Sequence, residues 1–237
     1  MSSTLTYKER FDGRKVDELR PMEAKVGVIP RATGSALFKI GKTHALAAVY
    51  GPRELYPQFL QDPQKGILRC NYNMLAFSGA GERVRPGPSR RSREISYVME
   101  KALLPMIDMS LFPSTVIDVF VELVQTDAGT RCAGITAAAM ALADAGIPMK
   151  DLIAAVAVGR MGGNIVLDVT KEEEDYEGGM ADIPVAMSTR TGEVTLLQDD
   201  GDLTKEELMK ALHLAKKGCE QIKKVQIQAL KNRYTGE

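Results

Sequence analysis

The stretch from Gln125 to Ala145, QTDAGTRCAGITAAAMALADA, constrains the fold more than any other part of the sequence. A β-branched segment runs into Asp-Ala-Gly-Thr-Arg at 127–131, and an alanine-rich segment of helical composition follows directly. The first N–H groups of a helix lack partners inside the helix, and the helix dipole concentrates partial positive charge there. The stretch therefore predicts a strand, an anion-binding turn and a helix.

The side chains of this turn suit phosphate. Gly129 lets the backbone approach a ligand closely, Thr130 offers a hydroxyl, and Arg131 offers a planar guanidinium group. The alternative is an ordinary strand-to-helix turn in which Thr130 caps the helix. The choice between the two depends on the rest of the chain.

Composition limits the classes of protein that remain. The 237 residues are 44% hydrophobic, which suits one large or two small globular domains. The formal net charge is zero and 5% of residues are aromatic, so any contact with nucleic acid must depend on local clusters. No apolar run approaches the roughly 20 residues of a membrane span, and the N-terminus lacks the apolar core of a secretory signal.

Cysteine and histidine usage points to a reducing compartment. Cys70, Cys132 and Cys219 are far apart and form no CxxC pair, which argues against disulfides and zinc and predicts a cytoplasmic protein. His44 lies in an apolar strand and His213 in a helix, so we expect both to be structural.

Hydrophobic periodicity predicts strands, hairpins and three long helices. The helices begin near Arg90, Thr130 and Thr204, and Pro105 is expected to kink or end the first. Because the helices alternate with hairpins, the pattern predicts an α+β fold with mixed sheets and packed helices. The expected strands are 23–29, 34–40, 43–50, 67–77, 115–126, 153–161, 164–170, 181–189 and 193–198.

Irregular segments are expected between these elements. Tyr7 to Pro21 is a charged arm, Ser78 to Ser89 a mobile loop and Lys171 to Gly179 an acidic loop. Thr204 and Glu207 form a capping box for the last helix. Its predicted buried stripe is Leu208, Leu212, Ala215, Cys219 and Ile222.

Two further clusters could join the turn. Asp182 opens a hydrophobic strand, where a carboxylate is either a solvated strand end or a functional group, and Asp175 lies in a glutamate run typical of a solvated loop. Carboxylates beside a phosphate could hold Mg²⁺ or act as a general acid.

The second cluster is Arg90, Arg91 and Arg93 at a predicted helix start. Positive charge there opposes the helix dipole, which favours a bound anion such as an RNA phosphate over a merely solvated helix end.

The sequence resembles the RNase PH family of phosphate-dependent exoribonucleases, and most closely the catalytic RNase PH-type subunit of the archaeal exosome. The resemblance implies an RNase PH-like fold (ribosomal protein S5 domain 2-like) as a single domain over 1–237, with a core of about 10–232, either undivided or built from two β-α subdomains. The matching segments are Phe11 to Pro21, Ala47 to Glu54, Ser89 to Ser96, Ile117 to Pro148 and Ala181 to Met187.

The resemblance also implies a reaction. Inorganic phosphate, the co-substrate, would bind at Gly129, Thr130 and Arg131, attack the last phosphodiester at an RNA 3′ end and release a nucleoside diphosphate. The reverse reaction would add a 3′ tail. Asp182 matches the family's key acidic residue, as general acid or as ligand of Mg²⁺, the expected cofactor.

Other family positions match less completely. Asp175 matches a second aspartate, but it lies seven residues before Asp182 where six are expected, so Glu174 or Glu177 are alternatives. Cys132 stands where relatives often carry Ser or Thr, so a hydroxyl contact to phosphate could be missing.

The implied partners are RNA and other subunits. Arg90 and Arg91 match arginines that contact the RNA backbone. The chain would alternate with a non-catalytic RNase PH-type subunit in a hexameric ring, with RNA-binding cap proteins above it. The alternatives are a bacterial-type RNase PH acting on tRNA 3′ ends and a non-catalytic scaffold paralogue. A scaffold should have lost Asp182 or the Gly-Thr-Arg turn, and this chain keeps both.

A small-molecule phosphotransferase is the weakest alternative. It would be expected to carry GxxxxGK[ST], which is absent from the sequence.

Overall fold

The computed structural model describes residues 10–81, 84–85, 87–176 and 180–235. The described strands are β1 Met22–Val26, β2 Gly34–Ile40, β3 Thr43–Glu54, β4 Ile67–Met74, β5 Thr115–Gln125, β6 Ile153–Met161, β7 Asn164–Leu167, β8 Ala181–Ser188 and β9 Val194–Leu197. The helices are α1 Arg90–Leu103, α2 Thr130–Asp144, α3 Lys171–Glu174 and α4 Lys205–Thr235. Short 3₁₀ turns cover Gln58–Leu60, Leu104–Met106 and Met109–Leu111.

The strands form two sheets. The first has the order β1-β2-β3-β5-β4, in which β4 and β5 are parallel and the other neighbours antiparallel. The second has the order β7-β6-β8-β9 and is antiparallel. A parallel pair needs a long crossover connection, and α1 lies in the one between β4 and β5. The predicted α+β fold with mixed sheets and packed helices is confirmed.

Helix α2 lies between the sheets. It contacts β2, β3 and β5 of the first sheet and β6 and β8 of the second. Nearly all of its residues are buried, which is expected of a helix that is apolar on every side. Its small alanine side chains let both sheets approach closely, so the turn before α2 is anchored in the centre of the molecule.

The ends of the long helices follow the sequence closely. Helix α1 ends at Leu103, and Pro105 lies in the 3₁₀ turn that follows. Before α4, the N–H of Glu207 donates to Thr204 Oγ1 (3.3 Å) and the N–H of Thr204 donates to Glu207 Oε2 (2.9 Å), which confirms the predicted capping box. The predicted stripe was partly wrong, because Leu208 and Leu212 are only half-buried. The residues that α4 does bury are Ala211, Ala215, Gly218, Cys219, Ile222, Gln226 and Ala229.

The predicted acidic loop was wrong for residues 171–174, which form α3. A capping box starts this helix: the N–H of Glu173 donates to Thr170 Oγ1 (3.4 Å), and the N–H of Thr170 donates to Glu173 Oε2 (2.9 Å). The preceding strand β7 ends at Leu167 instead of residue 170, because Asp168 has a left-handed backbone with φ +56°.

The described part of the N-terminal arm is packed against the body. The Arg10 guanidinium is buried and donates to both carboxylate oxygens of Glu173 (2.8 and 2.7 Å). Arg20 is also buried and donates to both oxygens of Asp168 (2.9 and 2.7 Å). The charge pattern of the arm thus reflects buried ion pairs more than solvation. In the described part of the chain, no helix combines the length and apolarity needed to cross a membrane.

Candidate active site

A cavity of about 950 Å³ opens where β5 meets α2. It is bounded by the loop after β4, the start of α1, the turn before α2, α3 and the first residues of β8. The polar and charged side chains along it are Lys42, Ser78, Arg91, Gln125, Thr126, Asp127, Thr130, Arg131, Lys171, Glu172, Glu174 and Asp182. All three clusters singled out in the sequence therefore contribute to one cavity.

The turn before α2 has the backbone of an anion site. Ala128 (φ +54°) and Gly129 (φ +60°) are both left-handed, and Gly129 is the N-cap residue of α2. No side chain caps the helix, and Thr130 is its first residue, so the alternative of an ordinary threonine cap is wrong. The first N–H groups of α2 consequently face the cavity without a side-chain acceptor from a cap.

Asp182 presents a poorly solvated carboxylate to this cavity. Its backbone is fixed by hydrogen bonds to Asp200, N to O 3.2 Å and O to N 3.0 Å. Its Oδ1 atom is buried and has no hydrogen-bond partner among the described residues. Burial and then the negative charge of Glu174 raise the pKa of Asp182 to about 6, against the lowering effect of Arg131. A carboxyl with these properties can hold or donate a proton near neutral pH.

The structure places Asp175 away from the cavity. Its carboxylate is exposed and pairs with Lys171 Nζ at 2.6 Å, and the residue is not among those that line the cavity. Glu174 lines the cavity instead, and burial raises the pKa of its carboxyl, while Lys171 and Arg91 lower it. Asp175 is the C-cap residue of α3, one position beyond the last helical residue Glu174, and its carboxylate pairs with Lys171 in an exposed position. Glu177 lies outside the described residues.

The arginines divide in the same way. All three arginines are exposed, but only Arg91 lines the cavity. Helix α1 begins with a capping box between Ser89 and Ser92, so Arg91 lies in its first turn. Arg131 also lines the cavity and its Nη1 donates to Gln198 Oε1 at 2.5 Å. The cavity thus combines positive charge from α1 and α2 with the carboxylates of α3 and β8.

Two cations of the site carry no signal in the sequence. Lys42, in the tight turn between two strands, and Lys171, at the start of the glutamate run, both line the cavity. Each is a lysine in a segment where an exposed lysine is ordinary, so only the fold shows that they face the site.

The thiol beside the turn is a packing group. Cys132 is 3% exposed, and burial raises the pKa of its thiol well above the usual value. The thiol therefore stays protonated and is no nucleophile at neutral pH.

For a metal ion, the described residues offer only a partial set. They contain no group of three or more His, Cys, Asp or Glu side chains placed to hold one. Asp182 and Glu174 are nevertheless mutually repelling carboxylates on one cavity, and Asp182 has an oxygen without a partner. This donor set fits a hard cation that takes its remaining ligands from water and substrate phosphate.

The two-sheet fold, with a buried helix between the sheets and a polar cavity at its N-terminus, is the feature to compare with known proteins, and that comparison gives the family. Residues 18–148 match domain 1 and residues 151–218 match domain 2 of the 3′ exoribonuclease family (RNase PH). The chain belongs to this family.

Archaeal proteins are among its similar relatives. The chain is 55% identical over 226 residues to exosome complex component Rrp41 of Thermococcus kodakarensis, covering 95% of this chain and 90% of the relative. It is 53% identical over 228 residues to that of Methanopyrus kandleri, covering 96% and 94%. The resemblance drawn from the sequence motifs is therefore confirmed.

Solved structures share the fold. Rice Rrp46 superposes with a TM-score of 0.82 at 23% identity, covering 94% of this chain and all (100%) of that one. A chain of the Archaeoglobus fulgidus exosome, solved with RNA bound to its active site, superposes with a TM-score of 0.77 at 24% identity, covering 91% and 92%. These structures confirm the predicted RNase PH-like fold.

Proposed function

We propose that this chain is a phosphate-dependent 3′→5′ exoribonuclease and the catalytic RNase PH-type subunit of an archaeal exosome. One observation carries the proposal: an uncapped helix N-terminus and a half-buried carboxyl, with one buried oxygen and a raised pKa, face the same cavity. The names of the 55% identical relatives support the assignment to an exosome.

In the proposed reaction, inorganic phosphate binds at Gly129, Thr130 and Arg131. One of its oxygens attacks the phosphorus of the last phosphodiester, and the bond from that phosphorus to the 3′ oxygen of the preceding nucleotide breaks. The terminal nucleotide leaves as a nucleoside diphosphate. Such a displacement depends mainly on positioning and on neutralising phosphate charge, which the α2 N-terminus and Arg131 supply.

Asp182 serves as the general acid. The departing 3′ oxygen needs a proton, and a carboxyl whose pKa is about 6 holds one in a useful fraction of molecules near neutral pH. In the reverse direction the same carboxylate accepts the proton of the RNA 3′ hydroxyl, and nucleoside diphosphates extend the chain.

The second carboxylate of the site is Glu174 in this proposal, in place of Asp175, because Glu174 lines the cavity. Glu174 would hold Mg²⁺ through its carboxylate, and the ion would supply positive charge beside the substrate phosphates when bound. Asp182 would be a second ligand only in its ionised form, as the alternative to its role as general acid.

The RNA path runs over the start of α1. Arg91 faces the cavity and Arg90 lies beside it on the exposed surface, so both can meet the phosphates of a single strand. The near-neutral chain and its few aromatic residues leave much of the RNA surface to other subunits. We propose that these are a non-catalytic RNase PH-type partner, alternating with this chain in a hexameric ring, and RNA-binding cap proteins.

Product analysis tests the proposal. The purified chain, alone and reconstituted with its RNase PH-type partner, is incubated with RNA, with and without inorganic phosphate. We expect nucleoside diphosphates, and only when phosphate is present. Release of nucleoside monophosphates would show hydrolysis and contradict the proposal.

The Asp182→Asn variant tests the site. We expect phosphate-dependent shortening of RNA to fall by at least about 10²-fold, because a general acid contributes on that order. RNA affinity should remain near that of the unmodified chain. An equal loss of affinity would instead assign Asp182 a structural role.

A further inference from the structure

Thr43, the first residue of β3, contacts the turn before α2 on the side away from the cavity. The residue is completely buried (0% exposed) although it is polar. Its Oγ1 accepts a hydrogen bond from the N–H of Asp127 (3.0 Å) and lies 2.8 Å from the carbonyl oxygens of both Asp127 and Ala128. The one hydroxyl proton is shared between these two carbonyls, and one lone pair accepts from the Asp127 N–H.

These contacts fix the direction of two amides. In a trans peptide the C=O and the N–H point in opposite directions. The carbonyls of Asp127 and Ala128 point toward Thr43. The N–H groups of Ala128 and Gly129 belong to the same two peptides, so they point away from Thr43. Ala128 and Gly129 line the cavity there.

The turn needs such support because its backbone is unfavourable. Ala128 is left-handed with φ +54°, a conformation that a residue with a Cβ rarely adopts unless its surroundings impose it. Arg20 supplies a second contact, since its Nη1 donates to the Asp127 carbonyl at 2.5 Å while Asp168 holds the other side of the guanidinium.

We propose that Thr43 is a positioning residue for the phosphorolytic reaction, which aims the Ala128 and Gly129 amides at the attacking phosphate. The inference rests on the proposed function, because it takes inorganic phosphate as the anion at this turn. Thr43 touches no substrate and acts only through the turn.

Two substitutions of nearly matched size test it. Thr43→Val keeps the buried shape and removes the hydroxyl, whereas Thr43→Ser keeps the hydroxyl and removes a methyl group. Phosphorolysis is measured in the assembled complex at varied concentrations of inorganic phosphate. We expect Thr43→Val to raise KM for phosphate by about 10-fold, as for lost partners behind a binding group, with a smaller effect on kcat and none on RNA affinity. Thr43→Ser should stay near the unmodified protein.

Thermal unfolding of both variants separates positioning from folding. The KM of Thr43→Val is interpreted only if this variant unfolds as cooperatively as Thr43→Ser. The affinity of the folded chain for inorganic phosphate provides a second measurement. An unchanged KM in a folded Thr43→Val variant, or an equal defect in Thr43→Ser, would overturn the inference. If the unmodified complex releases no nucleoside diphosphates, the proposed function is contradicted. That result is distinct from an unchanged KM in Thr43→Val, which contradicts only the role of Thr43.

Discussion

At the residue scale, the site depends on groups held in costly states. Asp182 is a half-buried carboxyl beside a second carboxylate, and its buried Oδ1 lacks a partner among the described residues. Such a group lowers the free energy of unfolding, and groups of this kind are common at functional sites. The effect of the Asp182 charge on the free energy of unfolding can be measured.

We predict that Asp182→Asn stabilises the fold in alkaline solution. The folded-state pKa of about 6 lies above the ordinary value of 3.8, so the folded chain binds this proton more tightly than the unfolded chain does. The cost is fully present above pH 6 and absent below pH 3.8. Urea unfolding should show the variant more stable by about 1–3 kcal/mol at pH 8.

The control for that prediction is the same measurement at low pH. Near pH 4 the two proteins should converge, because a protonated aspartate and an asparagine are both neutral. A constant difference across the pH range would mean that Asn changes packing and that the charge of Asp182 is not the cause.

Single residues were predictable where local sequence carried the signal. Gly129, Arg131 and Asp182 stand at element ends with a residue type unusual for that place, and the structure brings all three to one cavity. Thr43 and Arg20 gave no such signal, since their partners lie 84 and 107 residues away along the chain. Contacts of that kind depend on topology, which a local pattern does not contain.

At the element scale, α3 decides which carboxylate is available. The glutamate run predicts a solvated loop, because runs of like charge usually are solvated. The capping box of Thr170 and Glu173, and the buried pair of Glu173 with Arg10, instead fold it into a helical turn. That turn directs Glu174 inward and Asp175 toward solvent.

We predict that Glu174→Gln and Asp175→Asn behave differently. The negative charge of Glu174 contributes to the raised pKa of Asp182, whereas the Asp175 carboxylate is exposed and paired with Lys171. Activity that needs protonated Asp182 declines as pH rises through that pKa, so Glu174→Gln should move the decline to lower pH and reduce the rate. Asp175→Asn should leave the pH profile of kcat unchanged. The reverse ranking would restore Asp175 as the second carboxylate.

At the scale of the whole molecule, α2 explains why distant segments meet. The helix lies between the two sheets, and its N-terminus opens beside the end of β5 and the first residues of β8 and α1. The sequence predicted most of these elements and their class, since the hydrophobic periods are clear. The parallel pairing of β4 with β5 was not predicted, because register between distant strands leaves no local period.

We predict that Arg91 and Arg93 differ in their effect on RNA. Both lie in the first turn of α1, but only Arg91 lines the cavity. Arg91→Ala should weaken RNA binding and reduce the slope of log affinity against log salt by about 1, as expected for one lost phosphate contact. Arg93→Ala makes the same charge change on the same helix and is the matched control. Equal slopes for the two variants would remove Arg91 from the RNA path.

The packed N-terminal arm has a consequence for how the protein is handled in the laboratory. The match to the family's first domain begins at residue 18, which suggests a convenient place to start a shortened gene. Such a truncation would delete Arg10, which holds Glu173, and Arg14, which donates to Asp168 at 3.2 Å. The first residue that matches the family thus lies inside the packed structure, and a protein that begins there would lack the ion pair between Arg10 and Glu173 of α3.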